Sequence, residues 1–171
     1  MKLIFKSKLS YNLTRTEVIK ICILKNSEWN FGLKNQKKWF KKFVQRNDIH
    51  NLVYKKNDII GYTFLRKRTY LVGNKLIKKK HLYFDTLVIK KKFRKFGLAN
   101  KLMNLNSRII KKNSKVSFLV CKKDLYRFYM KNGWRFLNQQ NSQIMDHKSE
   151  KKIMYFNSKM KPKNLKIYLN K

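Results

Sequence analysis

Residues 93–103 read FRKFGLANKLM, and the chain's only alanine, Ala99, stands there two places after Gly97. Glycine occurs five times in 171 residues, so two small side chains this close together mark a place where bare backbone is needed. Arg94 lies three residues before the glycine, with lysines 90, 91, 92 and 95 around it. Upstream, HLYFDTLVI (His81 to Ile89) has the content of a strand. Downstream, Leu98, Leu102, Leu105 and Ile109 recur at helical spacing, with Lys101, Asn104, Arg108 and Lys112 on the other side. A strand therefore feeds through a basic turn into a helix N-terminus. Unpaired amides and the positive end of the helix dipole meet there, which makes an anion site. Gly97 lets backbone approach the anion and Ala99 does not stand in the way, so a pyrophosphate fits. The glycine spacing is neither the GxxxxGK[ST] of a phosphate-binding Walker loop nor the GxGxxG of a dinucleotide fold.

Working outward, Thr14 or Thr16 is placed to cap a helix through VIKICILKN, and NQKKWFKKFVQRN (Asn35 to Asn47) is a second helix with Trp39, Phe40, Phe43 and Val44 on one face. NLVYKK (Asn51 to Lys56) and IIGYTFLRKRTYLV (Ile59 to Val72) flank the turn pair Asn57-Asp58. The turn Gly73-Asn74 leads on to the His81 strand, which predicts a three-stranded antiparallel meander. VSFLVC (Val116 to Cys121) reads as a buried strand. Asp124 is a candidate cap for a short helix, LYRFYMKN, that Gly133 stops. GWRFLNQ (Gly133 to Gln139) and KKIMYFN (Lys151 to Asn157) read as closing strands. The predicted order is strand, two helices, three strands, helix, strand, helix, two strands, an α/β or α+β layer architecture.

The length favours one domain, 1–171, with a basic tail from about residue 157 that is expected to be loosely held at its end. With 43% hydrophobic residues the chain buries a core despite 30% charged ones. The net charge of +36, from 44 Lys and Arg against 8 Asp and Glu, attracts nucleic acid, anionic membrane or acidic protein. Its lysines, however, are spread along the whole chain, in a composition rich in Lys, Asn and Ile and nearly without Ala, as coding bias produces. The charge alone therefore assigns no function. Cys22 and Cys121 stand in apolar surroundings and read as buried thiols, with no metal or disulfide spacing. No apolar run approaches the ~20 residues of a membrane span. The N-terminus lacks a signal-peptide pattern, so a cytoplasmic location is expected.

The residues Arg94-x-x-Gly97-x-Ala99, preceded by Leu87-Val88-Ile89, resemble the acetyl-CoA site of the GNAT superfamily of N-acetyltransferases, which has [QR]-x-x-G-x-[GA] at the helix after its fourth strand. FLVCKKDLYRFYMKNGWRF (Phe118 to Phe136) is similar to the second half of that site, with F-Y-x-K-x-G-[FW] at Phe128 to Trp134. By element order the resemblance covers roughly residues 51–156. It implies a GNAT-like fold, a mixed central sheet of about seven strands flanked by about four helices. It also implies direct acetyl transfer from acetyl-CoA to a primary amine, with no metal. Implied donor-binding residues are Leu87, Val88, Ile89, Arg94, Lys95, Phe96, Gly97, Leu98, Ala99 and Asn100.

The family's general acid falls on Tyr129, with Tyr126 as substitute, although Tyr129 also reads as a core aromatic. The base is open: Asp85 in the central strand, His81 in reserve, or water. Asp85 in so apolar a segment is expected to be desolvated, but equally reads as a structural aspartate, and His81 at a strand edge reads as a surface residue. The sequence departs from the family where Lys91 replaces a frequent proline and where an asparagine after the fifth strand is absent. The amine acceptor is unspecified. Two other readings stay open: a nucleic-acid-binding protein without enzymatic activity, for which Lys and Arg mingle with aromatics in KKWFKKF and FLRKRTY, and the same fold acting on an acidic protein or acyl carrier.

Overall fold

The computed structural model describes residues 2–73, 75–113, 115–138, 142–145, 152–158 and 165–168. These contain nine strands and four α-helices. Strand β1 (Ile4–Leu9) precedes α1 (Arg15–Asn26) and α2 (Leu33–Phe43). Then come β2 (Ile49–Lys55), β3 (Asp58–Val72) and β4 (Ile77–Ile89). Helix α3 (Leu98–Lys112), β5 (Ser117–Cys121) and α4 (Tyr126–Lys131) follow. The strands β6 (Arg135–Phe136), β7 (Ser142–Ile144), β8 (Lys152–Phe156) and β9 (Leu165–Ile167) close the chain. The architecture is the mixed α/β sheet with four helices that the sequence predicts. The chain forms two compact units, residues 1–66 with 86–106, and 67–85 with 107–171.

In the first unit β1 pairs antiparallel with β2 and β2 with β3, and β4 follows β3 in the sheet order. Successive residues take opposite faces, as a pleated strand requires. Leu52, Ile59, Tyr62 and Val88 join Ile21 and Leu24 of α1 in one cluster, with Trp39 and Phe40 of α2 packed against it. Their neighbours Val53, Ile60 and Ile89 join Phe93, Leu98 and Leu102 of the α3 segment in another. Both faces are therefore buried, which explains the near-continuous apolar runs of β2 and β3.

Local signals set the helix ends. Thr14 caps α1: its hydroxyl accepts from the Glu17 amide at 3.1 Å, while the Glu17 carboxylate accepts from the Thr14 amide at 2.8 Å. Helix α2 begins after Gly32 and ends at Phe43, short of the expected Asn47, because Val44 is already extended and Asp48 ties the following turn through the Gln45 amide at 2.8 Å. A chain of polar side chains, buried at Asn51, Thr63 and Asn106, fixes α3 over the strands. Ser7 donates to Asn51 (2.6 Å), Asn51 to Asn106 (2.8 Å) and Asn106 to Thr63 (2.7 Å). Each satisfied bond avoids the cost of a buried orphan, about 1–3 kcal/mol.

In the second unit β4 pairs parallel with β5, β5 antiparallel with β8, and β8 antiparallel with β6. Strand β9 pairs antiparallel with the end of β3 and parallel with β7. Within the basic tail, Leu165 and Ile167 are buried in a cluster with Tyr83, Phe118, Leu137, Ile153 and Tyr155. Asp124 supplies no cap. A 3-10 turn, Lys123–Leu125, leads straight into α4, and neither element has a side-chain cap bond. Gly133 does end α4 as predicted, with φ +82° just past the Asn132 cap and its amide on the Met130 carbonyl at 2.9 Å.

Candidate functional site

The β4–β5 ladder holds only two residue pairs, Leu82 with Ser117 and Tyr83 with Phe118. Both strands run on past that point, to Ile89 and to Cys121. Within the second unit, Phe84 and Asp85 form no further ladder pair with β5.

In the first unit β4 ends in Leu87, Val88 and Ile89. Val88 faces the α1 cluster and Ile89 the α3 cluster, with half-buried Leu87 packed beside it. A 3-10 turn, Lys91–Phe93, buries Phe93 against Ile89 and Leu98 and leaves Lys91 and Lys92 outside. The next residues are exposed as far as the helix: Arg94, Lys95, Phe96 at 71% exposure, and Gly97. Lys95 and Gly97 both have left-handed backbone, φ +69° and +70°. A β-carbon built on Gly97 meets nothing within 4 Å. Open space and a left-handed turn thus coincide at the residue singled out in the sequence.

The Gly97 carbonyl accepts from the Lys101 amide at 3.1 Å, the first bond of α3. Leu98 and Ala99 precede that bond, so their amides have no acceptor within the helix. Leu98 is buried, Ala99 half-buried and Asn100 exposed. The Arg94 guanidinium is anchored from two directions: Nε donates to the Ile89 carbonyl at 3.0 Å and Nη2 pairs with the Glu28 carboxylate. Glu28 escaped the sequence reading, since nothing in SEWNFG signals a link to a loop 66 residues away.

In the second unit Tyr129 is 6% exposed and packs among Phe84, Phe128 and Trp134 at ring distances of 6.1, 5.3 and 6.3 Å. Burial first, and the neighbouring Cys121 second, push its hydroxyl well above the ordinary tyrosine value. It is therefore protonated at neutral pH, as a proton donor has to be. Tyr126 packs instead against Phe136 at 4.9 Å. Asp85 is half-buried rather than enclosed, so the strong desolvation expected from its apolar neighbours in sequence is only partial.

His81 reverses its expectation: it is fully buried, between the rings of Tyr70 and Phe118 at 5.7 and 5.1 Å. Burial lowers its pKa to about 4, with nearby Arg68 adding to the fall. The neutral ring donates from Nε2 to the Tyr168 carbonyl at 3.2 Å, and Nδ1 has no hydrogen-bond partner among the described residues. Both cysteines are buried free thiols, as expected. No helix among the described residues is long and apolar enough to cross a membrane.

Solved structures share this fold at low identity. An acyl-CoA N-acyltransferase from Pseudomonas aeruginosa is 13% identical with a TM-score of 0.67, covering 90% of this chain and 99% of its own. ElaA of Escherichia coli is 11% identical with a TM-score of 0.66, over 90% and 99%. Naa50 of Arabidopsis thaliana, solved with the bisubstrate analogue CoA-Ac-MVNAL, is 15% identical with a TM-score of 0.61, over 89% and 97%. No curated protein matches the sequence. The acetyltransferase (GNAT) domain model matches residues 25–147, most of the chain and both motif segments, and the chain belongs to that family.

Proposed function

We propose that the chain transfers an acetyl group from acetyl-CoA directly to a primary amine. The family moves acyl groups from acyl-CoA to amines; the acetyl group and the free amine are our reading. The observation that carries it is Gly97: left-handed backbone and open space at the mouth of a helix whose first amides lack intrahelical acceptors. A diphosphate is the anion that matches two such amides with Arg94 and Lys95 beside them. Phe96 and Asn100 complete the segment assigned to the donor. The main chain of Leu87, Val88 and Ile89 is assigned to the pantetheine arm, where a backbone N–H steadies the thioester oxygen as charge develops on it.

Two proton movements complete the transfer. The amine nitrogen bonds to the acetyl carbon as the carbon–sulfur bond breaks, and the leaving sulfur takes the Tyr129 hydroxyl proton. The proton shed by the amine passes to Asp85, directly or through water. Burial of His81 argues against it as that base, since an enclosed, neutral ring is poorly placed to meet an amine.

The direct test is turnover on a panel of primary amines: small amines, amino sugars, amino acids, polyamines and peptide N-termini. One thiol released per acetyl group gained by the amine is expected. Thiol release without amine acetylation would reject the reading.

A further inference from the structure

A cavity lies in the first unit, with a volume of about 360 Å³, and no residue of the 94–100 loop lines it. That volume falls within the range of small-molecule sites, ~300–1,000 Å³. Its apolar wall is Ile23 and Leu24 of α1 with Ile59 at the start of β3. Leu24 and Ile59 are buried, but Ile23 is 52% exposed at the opening, an apolar side chain left facing water. Around that wall stand Lys20, Lys90, Lys91 and Lys92, against one carboxylate, Asp58. Asp58 is already matched, by Lys90 at 2.6 Å. Lys20 reaches the Asn57 carbonyl, an uncharged acceptor. The rim is therefore strongly cationic over an apolar floor.

We infer that this cavity binds a small amphipathic carboxylate, its tail on Ile23, Leu24 and Ile59 and its head among Lys20, Lys91 and Lys92. An uncharged apolar molecule would leave the ammonium groups uncompensated beside it. A compact anion such as acetate would leave the apolar wall wet. Only a ligand with both parts satisfies both surfaces. The inference stands apart from the acetyl-transfer reading, because it uses neither the Gly97 loop nor Tyr129.

Decanoate is the probe, titrated calorimetrically into the full chain at about 150 mM salt, where diffuse attraction to the positive surface is screened. One equivalent is expected to bind with or without saturating acetyl-CoA. Decanol and acetate should each bind about tenfold or more weakly, the scale of losing one charge-assisted contact or most of the apolar burial. The Lys91→Glu/Lys92→Glu double variant and Ile23→Glu, all at exposed positions, should lose affinity similarly while keeping the wild-type Tm. Lys78→Glu, outside the cavity lining, should bind as wild type does. Absence of stoichiometric binding overturns the inference. So does equal binding of decanol, unchanged affinity in both cavity variants, or an equal loss in Lys78→Glu. If acetyl-CoA itself fails to bind, the decanoate titration still decides this question.

Discussion

Arg94 of the R-x-x-G-x-A motif is held by Glu28, from the segment that joins α1 to α2, while its Nε grips the carbonyl of Ile89 at the end of β4. The motif arginine is thus tied down before any donor arrives, with a carboxylate beside a loop proposed to hold phosphates. Both partners are partly exposed, with side chains 43% and 33% accessible, so the pair adds at most about 1 kcal/mol to stability. Glu28→Gln should leave Tm nearly unchanged and tighten acetyl-CoA a few-fold, about 0.5–1 kcal/mol, by removing the competing negative charge. Arg94→Ala should weaken acetyl-CoA about tenfold. Calorimetric titration of both variants checks the opposite signs. A weaker donor affinity in Glu28→Gln would mean that the pair supports the loop rather than competing for it.

Tyr129 can be separated into ring and hydroxyl. Phe keeps the ring among Phe84, Phe128 and Trp134, so Tyr129→Phe should fold with a similar Tm and KM. Its kcat should fall by about 10²-fold, the usual effect of losing a general acid. Because burial holds the hydroxyl well above its ordinary pKa, wild-type kcat should show no loss of this donor as pH rises toward 9. Asp85→Asn, assayed beside it, should also lower kcat by about 10²-fold, the usual effect of losing a general base. An unchanged kcat in Tyr129→Phe would leave that residue as a packing aromatic only.

The acid stability of the first unit should run through Glu17. Burial on its own would raise the Glu17 pKa. Hydrogen bonds from Lys8 at 2.7 Å, from Tyr54 and from the Thr14 amide, together with the Lys8 charge, outweigh it and hold the value at about 2 against an ordinary 4.5. The folded value lies below the unfolded one, so this stabilisation is complete above pH 4.5 and is lost as pH falls from 4.5 toward about 2. Glu17→Gln should flatten the stability curve in that window and cost on the order of 2 kcal/mol at pH 7, from the cap and the charged bonds together. Urea titrations between pH 2 and 7 measure both effects. An unchanged slope below pH 4.5 would assign the acid sensitivity elsewhere.

The helices, β2 through β5 and the basic turn into α3 were legible in the sequence because each rests on local chemistry. Thr14 faces Glu17 three residues on, Gly133 follows the last turn of α4, and apolar residues repeat at period 3.6 along α3. Strand β9 was not legible, since LKI lies in a lysine-rich stretch and owes its structure to pairing with β3, a partner nearly a hundred positions away. Buried polar residues were hidden for a related reason. Arg66 is 2% exposed yet lies over Trp39 and Phe43 at 5.5 and 6.0 Å and donates to the Phe43 carbonyl. His81 and Asn106 are likewise enclosed by long-range contacts. Polarity in a sequence predicts exposure, and only tertiary partners overturn it. At the candidate site, the residue types around Gly97 were legible, but not the Glu28 tether nor the point where β4 and β5 stop pairing.

The most direct test of the account is the thermal shift produced by acetyl-CoA on wild type, Gly97→Ala and Gly97→Glu. Alanine at φ +70° should lower the unliganded stability by about 1–2 kcal/mol, yet that variant should still gain stability from acetyl-CoA as wild type does. Gly97→Glu should start from a similar Tm and gain nothing, since its carboxylate occupies the space meant for the diphosphate. A Gly97→Glu protein stabilised by acetyl-CoA as fully as wild type would contradict the placement of the donor at this helix mouth.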